Sequence, residues 1–496
     1  MWWTKKIPNN IIDLFLKICD KNLCQNEEFN SLVRRLKELF SHDINNIQEL
    51  SLLIDKYLVP HELERKQNAE ISTPVSLRKE MLDKIPSYAW CEYYKVEDNG
   101  DWTLKIPRVF EPCCGKGGFV IDIVGRLMIG LKEHIPCDKK RYNTILEECL
   151  YFADINPVNI FITRLLLDPY GEYKLNYYEG NTLELDIKEE WGLDEFDMVI
   201  GNPPYNKGGV RSYTGKKLQK ENKTIYPLFI FYSFKVLRYG GVLALVIPLS
   251  WLKKSHSLHI TMLGKYIKWL LLWDNMKSLS TIKAQIPIST FVLINEDNTE
   301  KKKTTIFSEI SRIKVKTQSL VYIKPGVSIP LAYHSMFSKL DDFITRNNCR
   351  LKIEKSCVKI NKKYPKIKLP NVFTTKDNYS VDTCRIKDGI IVRKTDDIHP
   401  DMEKMKLIIA NKSSYKGSFI DDGRLGLCGN HKFYIMGENL ELIKKILSFK
   451  ISGKISHFIK YRQDFLEKDS LYYIPDLRKM GIDDITEKEF KKLIGI

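Results

Sequence analysis

Apolar residues recur along this chain in two different periods. Over residues 1 to about 66 the spacing is helical: Ile11, Ile12, Leu14, Phe15 and Ile18 fall on one face, as do Leu32, Leu36 and Phe40, which predicts two or three helices. From about residue 105 the pattern changes to short apolar runs closed by turn residues, the signature of strands buried on both faces of a parallel sheet. Such runs cover Lys105–Phe110, Cys149–Ala153, a segment beginning at Leu175, Glu195–Ile200, Val242–Ile247 and 285–295. Between them, helices are predicted over Val120–Leu131 and Tyr226–Arg238, the second closed by Tyr239-Gly240-Gly241 as a glycine C-cap. Strands alternating with helices predict an α/β doubly wound sheet. After Lys301-Lys302-Lys303 the pattern is mixed, with a strand at Lys406–Ile409 and helices at Glu438–Phe449 and Ile455–Phe465, which predicts a separate α+β unit over 304–496.

In an open parallel sheet, ligands bind beyond the carboxyl ends of the strands, so the turns after the strands are where chemistry is expected. Asn202-Pro203-Pro204-Tyr205 follows the run Glu195–Ile200 and Gly201 directly. Consecutive prolines stiffen the loop and remove two N–H donors, leaving the Asn202 side-chain oxygen and the Pro203 carbonyl as fixed acceptors beside an aromatic ring. Two acceptors and a ring face suit a planar exocyclic amine, whose lone pair they draw out of conjugation. Upstream, the first strand runs into Glu111-Pro112-Cys113-Cys114-Gly115-Lys116-Gly117-Gly118, a glycine turn before a helix that lets a ligand approach the backbone. It has neither the dinucleotide GxGxxG spacing nor the GK[ST] of a P-loop. Asp154 closes the next strand, where an acid suits ribose hydroxyls or caps the helix starting near Pro157. Ser72 or Thr73 stands where it would cap a helix beginning near Pro74.

Composition narrows the partners. The formal charge is +17; residues 1–300 hold about 39 basic and about 39 acidic residues, whereas 301–496 hold about 40 basic against about 23 acidic. A basic excess confined to one unit is the footprint expected for a polyanion, although an abundance of Lys, Asn and Ile throughout gives a plainer source for it. Eleven cysteines occur without a CxxC pair or a zinc-like Cys/His cluster, so neither disulfides nor a metal is expected. No run approaches the roughly 18 apolar residues of a membrane span, and the N-terminus lacks a signal peptide's apolar centre, which predicts a cytoplasmic protein.

The ordered set Glu70–Pro74 (EISTP), FEPCCGKGG, FADINP, GNTL, DMVIGNPPY, the apolar helix ending in RYGG, and LALVIPLSWL resembles the DNA adenine-N6 methyltransferases of the gamma arrangement, in which cofactor segments precede NPPY and a target recognition domain follows. The resemblance covers about residues 60 to 296. It implies a Rossmann-like catalytic domain over 67–298, preceded by a helical segment at 1–66 and followed by a DNA-binding recognition domain at 304–496. S-adenosylmethionine is the implied cofactor. Thr73 and Pro74 would touch its methionine part, with Glu111, Pro112, Cys113 and Gly115 beside them. Asp154 would take the ribose hydroxyls and Ile155 would lie against the adenine ring. The family has an Asp where this chain has Asn181, so weaker cofactor binding is expected. Asn202, Pro203, Pro204 and Tyr205 would hold an adenine flipped out of double-stranded DNA; a further base-packing aromatic would fall within 281–291. A cognate restriction endonuclease as a separate partner and a monomer or weak dimer are also implied. NPPY serves RNA bases and glutamine amides as well, and a catalytically silent nucleic-acid-binding protein of the same fold is the reading from another class.

Overall fold

The computed structural model describes residues 27–42, 44, 46–58, 72–95, 102–206, 224–274, 287–311, 314–355, 363, 365–368, 379–385, 389–396, 401–410, 415, 418–427, 432–461 and 466–496. The predicted helix around Ile11–Ile18 lies outside these residues. Two N-terminal helices, α1 (Glu27–Ser41) and α2 (Ile47–Tyr57), bury Leu32, Leu36, Phe40, Leu50 and Ile54, as the helical period requires. A short helix α3 (Val75–Leu82) leads to a two-stranded ribbon of β1 (Glu92–Lys95) and β2 (Trp102–Lys105).

The main sheet begins at β3 (Val109–Glu111) and continues through β4 (Leu150–Asp154), β5 (Asn176–Glu179), β6 (Phe196–Gly201), β7 (Leu237–Pro248), β8 (Lys265–Trp273), β9 (Ile288–Asp297), β10 (Thr304–Ile310) and β11 (Val315–Val321). Its nine strands run in the order β11-β10-β8-β9-β7-β6-β3-β4-β5. From β5 to β7 all neighbours are parallel, and helices α4 (Gly118–Gly130), α5 (Asp138–Thr144), α6 (Pro157–Leu167), α7 (Ile187–Trp191) and α8 (Tyr226–Val236) make the connections. All six residues of β6 and all five of β4 are buried, which explains their continuous apolar runs. The chain passes from β3 outward to β4 and β5, then returns to lay β6 on the other side of β3. That reversal makes the carboxyl ends of β3 and β6 the switch point of a doubly wound sheet, as the strand–helix alternation predicted.

Several boundaries differ from the expectation. The predicted strand at Lys105–Phe110 is two strands parted at Pro107, because proline gives no N–H to a ladder. Helix α8 stops at Val236, and Gly240, at φ +71°, sits within a bulge of β7 opposite Asp197 rather than capping the helix. The cap of α6 is Asn156, whose side chain accepts the Val158 N–H, so Asp154 is freed from that role. A helix expected over Ile455–Phe465 begins earlier, at Lys450–Phe458. Strand β8, Lys265–Trp273, was not foreseen; Lys265 and Lys268 break the apolar run at its start.

The sheet also crosses the expected domain boundary. β10 pairs in parallel with β8, and β11 closes that edge, so residues 304–321 complete the main sheet instead of opening the C-terminal unit. The lysine run is a tight turn within it: Lys302 N–H donates to Asn298 Oδ1 at 2.7 Å, with Lys301 at φ +55°. Beyond, an α+β region carries two four-stranded sheets. One orders β12 (Glu354–Lys355), β19 (Lys432–Met436), β16 (Met405–Ala410) and β17 (Phe419–Asp422); the other orders β13 (Ile367–Lys368), β15 (Gly389–Lys394), β14 (Tyr379–Arg385) and β18 (Leu425–Leu427). One apolar core continues from Leu32 to Ile494, and polar ties reinforce it: Lys253 Nζ to Glu467 at 2.6 Å, and Tyr461 and Tyr473 hydroxyls donating to the Ile329 and Ser328 carbonyls. Among the described residues no helix is long and apolar enough to cross a membrane.

At the amino end of β6, Asp197 is nearly buried and holds Lys105 Nζ at 2.5 Å, Arg238 Nε at 2.6 Å and the Arg108 N–H at 2.8 Å. Burial alone would raise its carboxyl pKa; these donors outweigh that and hold it below the usual range. A depressed folded pKa contributes stability above the ordinary aspartate value of about 3.9, and that contribution is lost as pH falls through the folded value. Asp197→Asn is therefore expected to lower the unfolding free energy by about 1–3 kcal/mol at pH 7. In denaturant titrations the gap from the parent protein should shrink as pH falls below the ordinary aspartate value of about 3.9 and through the depressed folded value.

Candidate functional site

Four loops meet beyond the carboxyl ends of β3, β4, β5 and β6. The glycine turn after β3 places Gly115 at φ +51° and Gly117 at φ +81°, backbone angles that a side chain disfavours. Asp154, at the end of β4, pins this turn: its Oδ2 accepts the Gly115 N–H at 2.8 Å and its Oδ1 the Asn156 N–H at 2.8 Å. Cys114 N–H donates to the Ala153 carbonyl, and Gly180 N–H, after β5, to the Asp154 carbonyl. Thr182 donates its hydroxyl to the Pro112 carbonyl at 2.7 Å. The β3, β4 and β5 turns are thus bonded into one wall. On it Ile155 stands 68% exposed, an isolated apolar side chain at the lip. Asn181 accepts the Leu183 N–H and donates Nδ2 to Glu184 at 2.6 Å, so its amide is engaged in shaping the turn.

Opposite lies the corner after β6. Glu111, the last residue of β3, is fully buried, and its carboxyl group lies against Gly201. Its Oε1 accepts the Cys113 N–H at 3.2 Å, while Oε2 meets no donor among the described residues. Burial, and then the nearby Asp154, push the Glu111 carboxyl well above the ordinary range; burial likewise pushes up the Cys113 thiol. A carboxyl group in that state is poised to gain from a cation placed beside Oε2.

Asn202 follows Gly201, and its Nδ2 donates to the Thr73 hydroxyl at 3.0 Å. Thr73 was expected at a helix start, and there it is, but neither it nor Ser72 caps the helix. Pro74 occupies the cap position without a side-chain bond, and the Val75 N–H is taken by Asp55 Oδ2 at 2.6 Å. Pro203 is buried, whereas Pro204 is partly open. Tyr205 is only 8% exposed, its ring edge-on to Tyr226 at 6.5 Å, its hydroxyl lacking a partner among the described residues and its pKa raised by burial. Tyr226 in turn bonds Ser250 Oγ at 2.7 Å and His256 Nε2 at 2.8 Å. Of the span expected to hold a second aromatic, 281–286 lies outside the described residues and Phe291 is buried in β9 against Trp251.

Hydrogen bonds join Pro112, Gly115 and Asp154 into one wall and Thr73 to Asn202 in the corner after β6, with Glu111 beside Gly201; the expected second aromatic is not brought there among the described residues. Sequence reasoning missed what holds this cleft. Arg78, 1% exposed, joins α3 to α2 and α4: Nη1 to Asp55 Oδ1 at 2.8 Å, Nε to Asp122 Oδ2 at 2.6 Å, Nη2 to Ser51 Oγ at 2.9 Å, and Nη1 also to the Thr73 carbonyl. Gly118 makes room for it, since a Cβ there would come within 2.9 Å of Nη1. No periodicity marks such a residue; an arginine on a short helix reads as surface. Gly201 was likewise read only as a strand end.

A methyl group at position 201 would lie 2.6 Å from Glu111 Cδ, and Glu111 is fully buried. Gly201→Ala is expected to cost about 1–3 kcal/mol of stability by overpacking. Adding Glu111→Ala should recover part of that loss in denaturant unfolding; strictly additive losses would locate the strain elsewhere.

Comparison with known proteins places this architecture. The chain is 22% identical over 209 residues to the methylase subunit of the type I restriction enzyme MjaIX of Methanocaldococcus jannaschii, a match covering 41% of this chain and 31% of that protein. The chain thus spans about a third of the length of this curated relative. Among solved structures, the type IIL restriction-modification enzyme MmeI in complex with DNA superposes with a TM-score of 0.51 at 12% identity, covering 94% of this chain and 78% of that one, so the two share a fold. A nuclease-deletion mutant of the type ISP restriction-modification enzyme LlaGI, with a DNA substrate mimic, matches 90% of this chain and 49% of that one at 12% identity and a TM-score of 0.44. Residues 148–273, which carry Asp154, Asn181 and the Asn202 corner, match the Eco57I restriction-modification methylase family.

Proposed function

We propose that this chain is an S-adenosylmethionine-dependent DNA methyltransferase acting on N6 of an adenine turned out of the duplex. The observation that carries the proposal is the placement of Asn202. A side-chain amide, tethered through its nitrogen to Thr73, stands at the switch point of a doubly wound sheet across from a glycine turn pinned by Asp154. The match of 148–273 to a methylase family and the likeness to restriction-modification methylases support the same reading.

The residues of the cleft fit the cofactor. Exposed Ile155 offers an apolar surface for a flat ring, Asp154 closes β4 where an acid suits ribose hydroxyls, and Glu111 Oε2 offers a buried acceptor to the ammonium of the methionine part. S-adenosylmethionine supplies a methyl group on a positively charged sulfur, an electrophile needing no further activation. The chain's task is then to make the adenine amine nucleophilic and hold it in line. Asn202 Oδ1 and the Pro203 carbonyl each accept one N6 hydrogen, turning the nitrogen lone pair toward the methyl group, and their fixed dipoles stabilise the positive charge that builds on nitrogen. Tyr205 supplies a ring at the base's edge. The amine carries one proton too many after transfer and releases it to solvent.

The substrate follows from charge and from relatives. The basic excess beyond residue 300 provides a surface for phosphates, and the relative MmeI is described with DNA bound. The separate endonuclease, the monomer or weak dimer and the cytoplasmic setting belong to this proposal. Residues 322–496 serve as the target recognition unit.

The test uses methyl-labelled S-adenosylmethionine with duplex DNA and total RNA in parallel, followed by nucleoside identification. Label in N6-methyladenine of DNA is expected; label confined to RNA, or to protein, would overturn the substrate. Asn202→Ala should lower turnover about 10²–10³-fold, since it removes one acceptor aimed at developing charge. Cofactor affinity, followed by calorimetry, should stay within about threefold of the parent.

A further inference from the structure

We infer that Thr73 is a positioning residue for Asn202, held in place by a buried ionic clamp that reaches it from helix α2. The inference rests on the methyltransferase reading and gives Thr73 a role distinct from touching cofactor.

An asparagine amide has two nearly isosteric ends, and only one of them accepts. Turned through 180°, Asn202 would aim its own N–H donors at the substrate amine and oppose catalysis. The torsion that exchanges the ends is soft, so the orientation has to be imposed from outside. In the structure the Asn202 nitrogen donates to Thr73 Oγ1 at 3.0 Å, which directs Oδ1 to the other side. Thr73 is 6% exposed, so solvent competes little for this bond.

For a tether to fix anything, it must itself be fixed. Thr73 is β-branched and followed by a proline, so both its side chain and its approach to α3 are stiff. Its carbonyl accepts from Arg78 Nη1. The guanidinium that makes this bond is immobilised by Asp55 of α2 and Asp122 of α4, and Asp55 also takes the Val75 N–H. The capping role that its sequence position predicts is therefore filled by Asp55, and the Thr73 hydroxyl is directed to Asn202 instead. On its other side, Asn202 is steadied by Gly201, which packs on the Glu111 carboxyl group. Helix α2, which carries no chemistry of its own, thereby bears through Thr73 on the orientation of a catalytic amide 129 residues beyond Thr73.

The experiment compares Thr73→Val, which keeps shape and loses the hydroxyl, with Thr73→Ser, which keeps the hydroxyl, in the full chain with DNA and labelled cofactor. Thr73→Val is expected to lower kcat about 10–100-fold while the cofactor Kd moves less than about threefold; Thr73→Ser should turn over at least about tenfold faster than Thr73→Val. In an Asn202→Ala background Thr73→Val should cost nothing further in single-turnover rate, since Thr73 acts through the amide. A raised Kd with unchanged kcat, equal activity in Thr73→Val and the parent, or a full additional loss in the Asn202→Ala background would each overturn the inference. If Thr73→Val does not fold, the Thr73→Ser and Thr73→Ala pair carries the same comparison, with serine expected to exceed alanine. A parent protein that methylates no nucleic acid would instead overturn the methyltransferase reading on which the inference stands.

Discussion

A guanidinium excluded from water is tolerated only where carboxylates and hydrogen-bond acceptors surround it, because an unpaired buried charge costs several kcal/mol. Arg78 meets that condition with groups from three separate parts of the chain: Ser51 and Asp55 on α2, the Thr73 carbonyl, and Asp122 on α4. Each of these partners leads into the cleft. Asp122 belongs to the helix that the glycine turn opens, Asp55 caps α3, and Thr73 holds the Asn202 amide. A single buried charge thus makes the registry of α2, α3 and α4 mutually dependent, and with it the distance between the glycine turn and the NPPY corner.

The sheet does the complementary work. Reversal of strand order at β3 and β6 opens a gap between the turns that follow them, and the buried acid at the end of β3 fills its floor. Close approach there has a steric requirement: Gly201 is small because Glu111 occupies the space a side chain would need. Around this gap, Asp154 and Thr182 bond three successive turns together through backbone groups, so the wall facing Asn202 is set by hydrogen bonds that any sequence could satisfy only with acceptors at those points. Rigidity at the site is a consequence of satisfying buried backbone donors as well as of packing.

On its far side the sheet continues past the parallel half by an antiparallel insertion of β9 between β7 and β8, then returns to parallel pairing with β10. The C-terminal region is joined to the sheet by an unbroken apolar core and by a lysine–glutamate pair, Lys253 to Glu467. Burying polar groups at such a junction demands matched partners on both sides, which ties the basic region to the sheet. Lys406 shows the same economy within that region: its ammonium is fully buried and satisfied by Asp421 and two carbonyls.

By itself the sequence determined the doubly wound α/β class and the strands that carry the glycine turn, Asp154 and NPPY, while the roles expected of the site residues came with the resemblance that those motifs carry. The class and the strands depend on local period and on turn chemistry, which neighbouring residues encode. The tertiary structure alone decided what those residues do to one another. Thr73 looked like a helix cap until Asp55 was found in that role, and its hydroxyl turned toward Asn202. Arg78 carried no signal in the sequence, yet α2 and α4 close over it. The lysine run at 301–303 looked like a domain boundary, yet it is a turn inside the sheet. For Thr73 and Arg78 the deciding partners lie between 20 and 129 residues away in the chain, and the reason is physical: buried charges and hydroxyls are satisfied by whatever folding brings beside them, which no local pattern records.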